Sequence, residues 1–514
     1  MSIYQPIEKE GEIRRVYQLI SPIDLSPSGE LVCASTDDVK AAIARAKSAQ
    51  KDWQNTPIEE RCEVFKRAVK ILLERQEEVI DTVVKETGKA RSDALSMEIY
   101  SVADAWTYYS KHAKKFLGTE KRKVPGILGL AKKMRIVYKP LGVVGIIVPW
   151  NGPFVLAGVP AVQALLAGNA AVVKGSEVTP YSTKLLESIL LEAGLPEGVC
   201  QVLMGDGQTG ADLVEGGVNK ISFTGSVATG RRVAESCARQ LIPCTLELGG
   251  KDAMIVCADA ALDRAAAGAI VGSCMNTGHY CCGTERIYVV EDVYDEFVEK
   301  VVEGTKVLRQ GSELGFDEDV GAVFWDKQMT IIEDHVEDAK AKGATVHCGG
   351  RRNPNLKGLY YEPTVMTQVD NTMKIMTEET FGPIICIQKV KDEAEALALA
   401  NDSEYGLNGN VWTKDVERGA QLVSQIDTGG CSVNDMAMTY GVPAAPFGGR
   451  KFSGVGHVNS VTGMRGYCHA QPILTDKSSG NLPSAYPYSA EKAQGMQKFM
   501  AILWLKTPIG RWLS

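Results

Sequence analysis

The chain has 514 residues, enough for roughly three domains at ~150 residues each. Its 45% hydrophobic and 23% charged residues exclude a disordered or collagen-like polypeptide, and a net charge of -7 without a dense Lys/Arg run excludes capture of nucleic acid through its phosphates. Thirteen cysteines without a C-x-x-C pair, and six histidines without H-E-x-x-H, argue against a disulfide framework or a zinc site; no metal is expected, and the thiols read as small buried hydrophobes of a reducing, cytoplasmic compartment.

Residues 1–18 mix Glu8, Glu10 and Glu12 with Lys9, Arg14 and Arg15 and hold no apolar h-region, so no signal peptide is read. Ser35 to Trp53 predicts an amphipathic helix: Thr36-Asp37-Asp38 supplies an N-cap region, and Val39, Ala42, Ala46 and Ala49 follow at helical spacing. Ile58 to Thr87 and much of Ser92 to Phe116 continue as helix. After the basic loop Lys121-Arg122-Lys123, the alternation of Met134–Tyr138 suits an exposed antiparallel strand. No charged residue occurs from Pro140 to Val173, a stretch long enough to span a bilayer. However, Pro149-Trp150-Asn151-Gly152-Pro153 and Pro160 interrupt it, which favours a buried strand, a loop and a buried helix.

From Gly142 the texture becomes strand–loop–helix. Strands are predicted at Val143–Val148, Ala170–Val173, Val199–Met204 and Lys220–Phe223, with helices at Tyr181–Ala193, Ala211–Glu215 and Val227–Gln240. After Lys251 the pattern restarts, with strand candidates at Met254–Cys257, Arg286–Val290, Thr345–Cys348, Ile384–Val390 and Asn410–Trp412. The fold class is therefore α/β, in two lobes built on parallel sheets. Thr475 to Gly495, polar and rich in Ser, Pro and Tyr, reads as a linker or wrapping arm. Met496, Phe499, Met500 and Leu503 then fall at helical spacing, with Trp512 beyond. That helix either docks on a neighbouring subunit or over the mouth of the site, or makes a peripheral membrane contact through residues 496–514.

Four motifs carry chemistry, each with a bland reading beside the functional one. Gly205-Asp206-Gly207-Gln208-Thr209-Gly210 fits a dinucleotide loop or a glycine-rich turn, and lacks the acidic residue ~20 positions on. Thr224-Gly225-Ser226 opens a helix, where bare N–H groups attract a pyrophosphate; a tight strand–helix turn explains it equally. Glu247, beside Leu248-Gly249-Gly250-Lys251, is a base or a salt-bridged surface carboxylate. Cys281-Cys282 offers a nucleophile or two inert thiols.

Taken together and in order, Pro149-Trp150-Asn151, Lys174-Gly175-Ser176-Glu177, Phe223-Thr224-Gly225-Ser226, Glu247–Lys251, Gly278–Cys281, Glu379-Thr380-Phe381-Gly382-Pro383 and Pro446-Phe447-Gly448-Gly449 resemble the aldehyde dehydrogenase superfamily across roughly Ser21 to Ile473. The resemblance implies two Rossmann-like lobes, one binding cofactor and one catalytic, with a small β oligomerisation element that joins a strand at Met134–Tyr138 to one near Gly466–Leu474. It divides the chain into a cofactor-binding domain at 1–117 and 141–246, the oligomerisation element at 118–140 and 463–476, a catalytic domain at 247–462 and a C-terminal extension at 477–514. It also implies a homodimer or homotetramer.

By the same resemblance Cys281 is the nucleophile, the Asn151 amide and the Cys281 N–H stabilise the oxyanion, and Glu247 activates water. Lys174 and Glu177 hold the adenosine ribose, Gly225 and Ser226 the pyrophosphate, Glu379 and Phe381 the nicotinamide ribose and ring, with Gly207 on the adenine side; Val148, Pro149, Trp150 and Leu248 complete the cofactor set. The cofactor implied is NAD, with NADP possible, because Glu177 would repel a 2′-phosphate. Departures from the family pattern are His279 in place of Gln or Glu, Gly152 in place of a bulky residue, and Gly175 in place of a frequent Pro. Apolar Leu156 and Val159 favour an aliphatic or aromatic aldehyde over a charged semialdehyde. The competing readings are a CoA-acylating relative, which generally lacks the Glu247 carboxylate; a silent scaffold, disfavoured by Cys281, Glu247 and Asn151 together; and a cysteine hydrolase, for which no positioned His base is apparent.

Overall fold

The computed structural model describes residues 4–7, 14–126, 128–311, 315–436, 439–480 and 486–505. The β-branched run Val143–Ile147, buried at every position, forms an inner strand of a six-stranded sheet. The spatial order is Cys200–Leu203, Ala170–Lys174, Val143–Ile147, Lys220–Thr224, Cys244–Glu247 and Gly454–Val455. All pairs are parallel except the last. From Val143–Ile147 the chain builds outward to one side, then returns to build on the other. The carboxyl ends of Val143–Ile147 and Lys220–Thr224 therefore flank a topological switch point, where open α/β sheets form a crevice.

A second sheet of seven strands runs Thr345–Cys348, Thr364–Thr367, Ile384–Val390, Thr284–Val290, Asp252–Val256, Gly409–Trp412 and Ser432–Val433, parallel except for its first pair. A third sheet is antiparallel: Cys468–Asp476 pairs Lys132–Pro140, with Met134 opposite Leu474 and Tyr138 opposite Ala470, and Glu120–Arg122 lies on the far side. This is the small element expected from sequence.

The uncharged stretch is buried core. Helix Val155–Leu166 is buried at all twelve positions and carries Pro160 inside it. No helix among the described residues is long and apolar enough to cross a membrane. All thirteen cysteines are free.

Five sequence expectations need correction. Helix Thr36–Trp53 is capped by Ser35, one residue earlier than expected, in a capping box closed by Asp38. The helix expected over Ile58–Thr87 is two, Ile58–Glu74 and Gln76–Thr87, divided at Arg75, whose guanidinium pairs Glu78 and Glu192. The stretch Ser92–Phe116 contains a π-helical turn, Ala94–Tyr100, before helix Ser101–Leu117. Strands Tyr4–Ile7, Val16–Ile20 and Pro27–Val32 form an unforeseen antiparallel sheet, joined to the first lobe where Arg15 and Tyr17 hydrogen-bond Asp206. Finally, Thr475–Gly495 is not all linker: the last strand runs to Asp476, and a helix capped by Ser489 spans Ala490–Trp504. Trp512 lies outside the described residues.

Candidate active site

The turn that carries Cys281 follows helix Leu262–Cys274 and is built from unusual backbone. Asn276, Thr277 and Gly278 all take positive φ, 55°, 58° and 73°. For threonine this conformation persists only where its surroundings enforce it. The Asn276 N–H donates to Asp93 Oδ2 at 2.8 Å, and its amide nitrogen donates to the carbonyls of Asn151 (2.9 Å) and His279 (2.7 Å). A Cβ on Gly278 would lie 2.1 Å from the Gly382 carbonyl oxygen, so only glycine fits there.

This turn presents Cys281 half-buried and leaves Cys282 inside, which selects Cys281 as the accessible thiol. The Cys282 thiol donates to Cys281 and, with the N–H groups of both residues, holds the Cys281 pKa below its ordinary value against the opposing effect of burial. Cys282 is driven the other way, by burial and by its neighbour's charge. Around the pair pack Leu407, Phe447, Val458, Met436 and Tyr440.

Asn151 is brought to the same turn, where its amide Nδ2 donates to the His279 carbonyl at 3.1 Å, leaving its second N–H to serve another acceptor. Its position rests on an ion pair that sequence reasoning missed. Lys89, fully buried, donates to Glu98 Oε1 at 2.7 Å and to the Asn151 carbonyl at 3.0 Å. The other Glu98 oxygen accepts the N–H groups of Phe154 and Val155 at the start of helix Val155–Leu166.

Glu247 ends its strand inside the protein, and neither carboxylate oxygen has a hydrogen-bond partner. Burial, then the charge of Cys281, pushes its pKa well above the usual carboxylate range. Asp252, buried at the start of strand Asp252–Val256 in the second sheet, is raised by the same two causes, burial first, although its Oδ1 accepts the Asn408 N–H at 3.0 Å. The backbone between them is squeezed. A Cβ on Gly249 would lie 2.2 Å from the Glu379 carboxylate, and one on Gly250 would lie 2.4 Å from the Cys281 carbonyl. Glu379 accepts the Gly250 N–H at 3.0 Å and is pushed up to about 8 by burial and Glu285.

At the switch point opens a cleft of about 680 Å³. Val148, Pro149, Trp150, Lys174, Glu177, Gly207, Gly225 and Ser226, eight of the predicted cofactor residues, line it together. Lys174 and Glu177 form an ion pair at 3.3 Å. Ser226 caps helix Val227–Gln240, whose first-turn N–H groups form an anion site at the cleft. A Cβ on Gly225 would lie 2.7 Å from the Phe223 ring, so the packing of the turn also favours glycine there. Leu248 does not line the cleft but backs it, packed where a Cβ on Gly230 would fall, and Glu379 lies under Gly249-Gly250. Phe381 packs edge-on to Trp150 of the cleft wall at 5.5 Å. Sequence reasoning also missed Trp325, Arg232 and Arg239 in the cleft wall, because Trp325 stands in a loop before helix Asp326–Ala341, the two arginines lie on helix Val227–Gln240, and none belongs to a motif. A grouping of Cys257, Asp259 and Glu393 has metal-ligand spacing, but the Arg418 guanidinium pairs both carboxylates and supplies the cation there.

A doubly wound α/β protein, with a lowered-pKa thiol set beside a dinucleotide-sized cleft, is the class that fold and site define. A model of the aldehyde dehydrogenase family matches residues 8–473. The chain belongs to that family of oxidoreductases. A protein of Mycolicibacterium smegmatis named as an NADP(+) succinate-semialdehyde dehydrogenase is 40% identical over 444 residues, covering 86% of this chain and 85% of its own. A 4,4'-diapolycopene aldehyde oxidase of Methylomonas is 36% identical over 486 residues, 94% of this chain and 91% of its own. Among solved structures, a Mycobacterium tuberculosis aldehyde dehydrogenase complexed with NAD+ superposes with a TM-score of 0.86 at 36% identity, covering 92% of this chain and 97% of that one.

Proposed function

We propose that the protein oxidises an aldehyde to a carboxylic acid with NAD, through a thiohemiacetal and then a thioester on Cys281. The observation that carries this reading is the convergence on one turn of an accessible, lowered-pKa thiol, an amide donor and a buried carboxyl without a partner of its own. The Cys281 thiolate adds to the aldehyde carbonyl. Asn151 Nδ2 and the Cys281 N–H then bear the oxyanion's charge. A nicotinamide dinucleotide, when bound, supplies the hydride acceptor. Glu247 takes a proton from water, whose oxygen attacks the thioester and releases acid and thiol. Acylation removes the Cys281 charge, one of the two causes that raise the Glu247 pKa, and so favours the carboxylate that accepts this proton.

The cleft fits the cofactor: Lys174 and Glu177 would hold the adenosine ribose, Gly207 would lie on the adenine side, and Gly225 and Ser226 would hold the pyrophosphate. The Glu177 carboxylate favours ribose hydroxyls over a 2′-phosphate, hence NAD over NADP. Glu379 and Phe381 would border the nicotinamide. Leu407, Phe447, Val458 and Met436, packed about Cys281, support an aliphatic or aromatic aldehyde, and Leu156 and Val159 are buried in the core of the first lobe. The domain division given from sequence is retained as part of this proposal, and the edge strand Cys468–Asp476 supports a homodimer or homotetramer. Helix Ala490–Trp504 buries none of its residues, as docking over its own site would require, and exposes Met496, Met500, Ile502 and Trp504; this supports a peripheral contact with a membrane surface in the cytoplasm.

The test is reduction of NAD and NADP by purified protein across aldehydes of increasing chain length, beside Cys281→Ala and with or without CoA. Loss of activity in the variant and a free-acid product support the reading. A CoA thioester as product, or activity surviving in Cys281→Ala, overturns it.

A further inference from the structure

The residue two before the nucleophile, His279, is fully buried and hydrogen-bonded at both ring nitrogens. Its Nδ1 lies 2.8 Å from the Phe381 carbonyl oxygen, and the Phe324 N–H donates to its Nε2 at 3.2 Å. These two contacts assign the tautomer: Nε2 accepts, so Nδ1 carries the proton and donates. The ring stacks on Phe381 at 5.5 Å and 24°, and stands edge-on to Phe324 at 4.5 Å and to Trp150 at 5.0 Å. Its own carbonyl receives the Asn151 amide. One side chain thus joins the nucleophile turn, the Phe381 loop, the segment at Phe324 and the cleft wall at Trp150.

Phe381 needs such a tether, because it holds φ at +50°, a conformation rare for an aromatic residue and kept only by what surrounds it. Its N–H is held at 3.0 Å by Glu285; its carbonyl is held by His279. We propose that His279 is a positioning residue: through its two ring hydrogen bonds it fixes the distance between Cys281 and the Phe381 wall against which the nicotinamide must lie. The proposal rests on the aldehyde-oxidising reading above and deepens it. Burial, with the nearby charge of Lys89, lowers the imidazole pKa to about 3, so the tether stays neutral and intact across the working pH range. The hydrogen bonds, and not the charge, are what this site requires. A Gln side chain, with one amide donor and one acceptor, can make the same two bonds; a Met side chain of similar volume can make neither.

The experiment compares full-length wild type with His279→Gln and His279→Met, with His279→Phe as a second variant that keeps an aromatic ring without hydrogen bonds. Four quantities are read: KM for NAD, kcat, the rate of alkylation of Cys281 by iodoacetamide without cofactor, and Tm. His279→Met and His279→Phe are expected to raise the NAD KM or lower kcat by roughly tenfold or more, since a small misplacement of reacting groups is amplified in rate. Alkylation should stay within about twofold, because the thiol's own donors are untouched. His279→Gln should restore turnover to within about threefold of wild type. Normal NAD kinetics in His279→Met or His279→Phe overturns the proposal. So does an equal loss in alkylation, turnover and Tm, which marks a purely structural role, or a Gln variant no better than Met. If Cys281→Ala is inactive while His279→Met is normal, only the tether fails; if Cys281→Ala is active, the chemistry itself is wrong.

Discussion

Removing the Lys89 cation should damage the protein from within. Lys89 and Glu98 are both fully buried, 2.7 Å apart. Breaking such a pair from one side costs about 3–5 kcal/mol, because the remaining charge is left without its partner in a poorly polarisable interior. In Lys89→Met the Glu98 carboxylate keeps the N–H groups of Phe154 and Val155 at a helix start, which offsets part of that cost and places the expected loss near ~3 kcal/mol. The double change Lys89→Met with Glu98→Gln removes both charges, while the Gln oxygen can still accept those N–H groups. It should cost less than the single change, by about 2 kcal/mol. Asn151 keeps its Asn276 contact at 2.9 Å, so kcat should fall less than tenfold in Lys89→Met. Urea unfolding followed by tryptophan fluorescence reads the stabilities. A loss below ~1 kcal/mol in Lys89→Met, or a double variant less stable than the single, would refute the reasoning.

Three further outcomes follow from the same geometry. Because Glu247 titrates well above the usual carboxylate range and acts only when deprotonated, steady-state turnover limited by thioester hydrolysis should rise with pH through that raised value; the rise should vanish in Glu247→Gln, and a wild-type profile flat from pH 5 to pH 9 would contradict it. Glu177→Gln, which removes the charge opposite the 2′-phosphate position, should lower the NADP-to-NAD KM ratio by roughly tenfold, or about 1.4 kcal/mol; an unchanged ratio removes Glu177 from cofactor choice. Full-length protein should co-sediment with vesicles of anionic phospholipid and a truncation ending at Ser489 should not; equal sedimentation excludes the helix Ala490–Trp504 as a membrane contact.

Nine strands of the two large sheets were legible because their apolar runs are bounded by turns and because buried parallel strands need no alternation; Cys244–Glu247, Thr364–Thr367, Ser432–Val433 and Gly454–Val455 were not. What stayed hidden has physical reasons. Helical periodicity runs through Arg75 without interruption, so the break there is a matter of its ion pairs and not of pattern. The three N-terminal strands are half-polar and stabilised by long-range contacts such as Arg15 to Asp206. Strand Thr364–Thr367 is flanked by threonines and has only two apolar residues, and Ser432–Val433 and Gly454–Val455 are two residues each, too short for any period. At the site, Cys281 and Cys282 are equivalent as bare sequence; only the resemblance singled one out, and the structure supports it by burying the other. Lys89 and Glu98 are nine residues apart across a π-helical turn, at no spacing that marks a pair.

The central claim is that Cys281 becomes acylated and that Glu247 is needed to release the acyl group. The most direct measurement is the intact mass, followed by a peptide map, of Glu247→Gln incubated with aldehyde and NAD and quenched in acid. The account predicts one acyl group per chain, located on Cys281, appearing with a single burst of NADH. An NADH burst with no adduct, or an adduct on Cys282 or elsewhere, would contradict it.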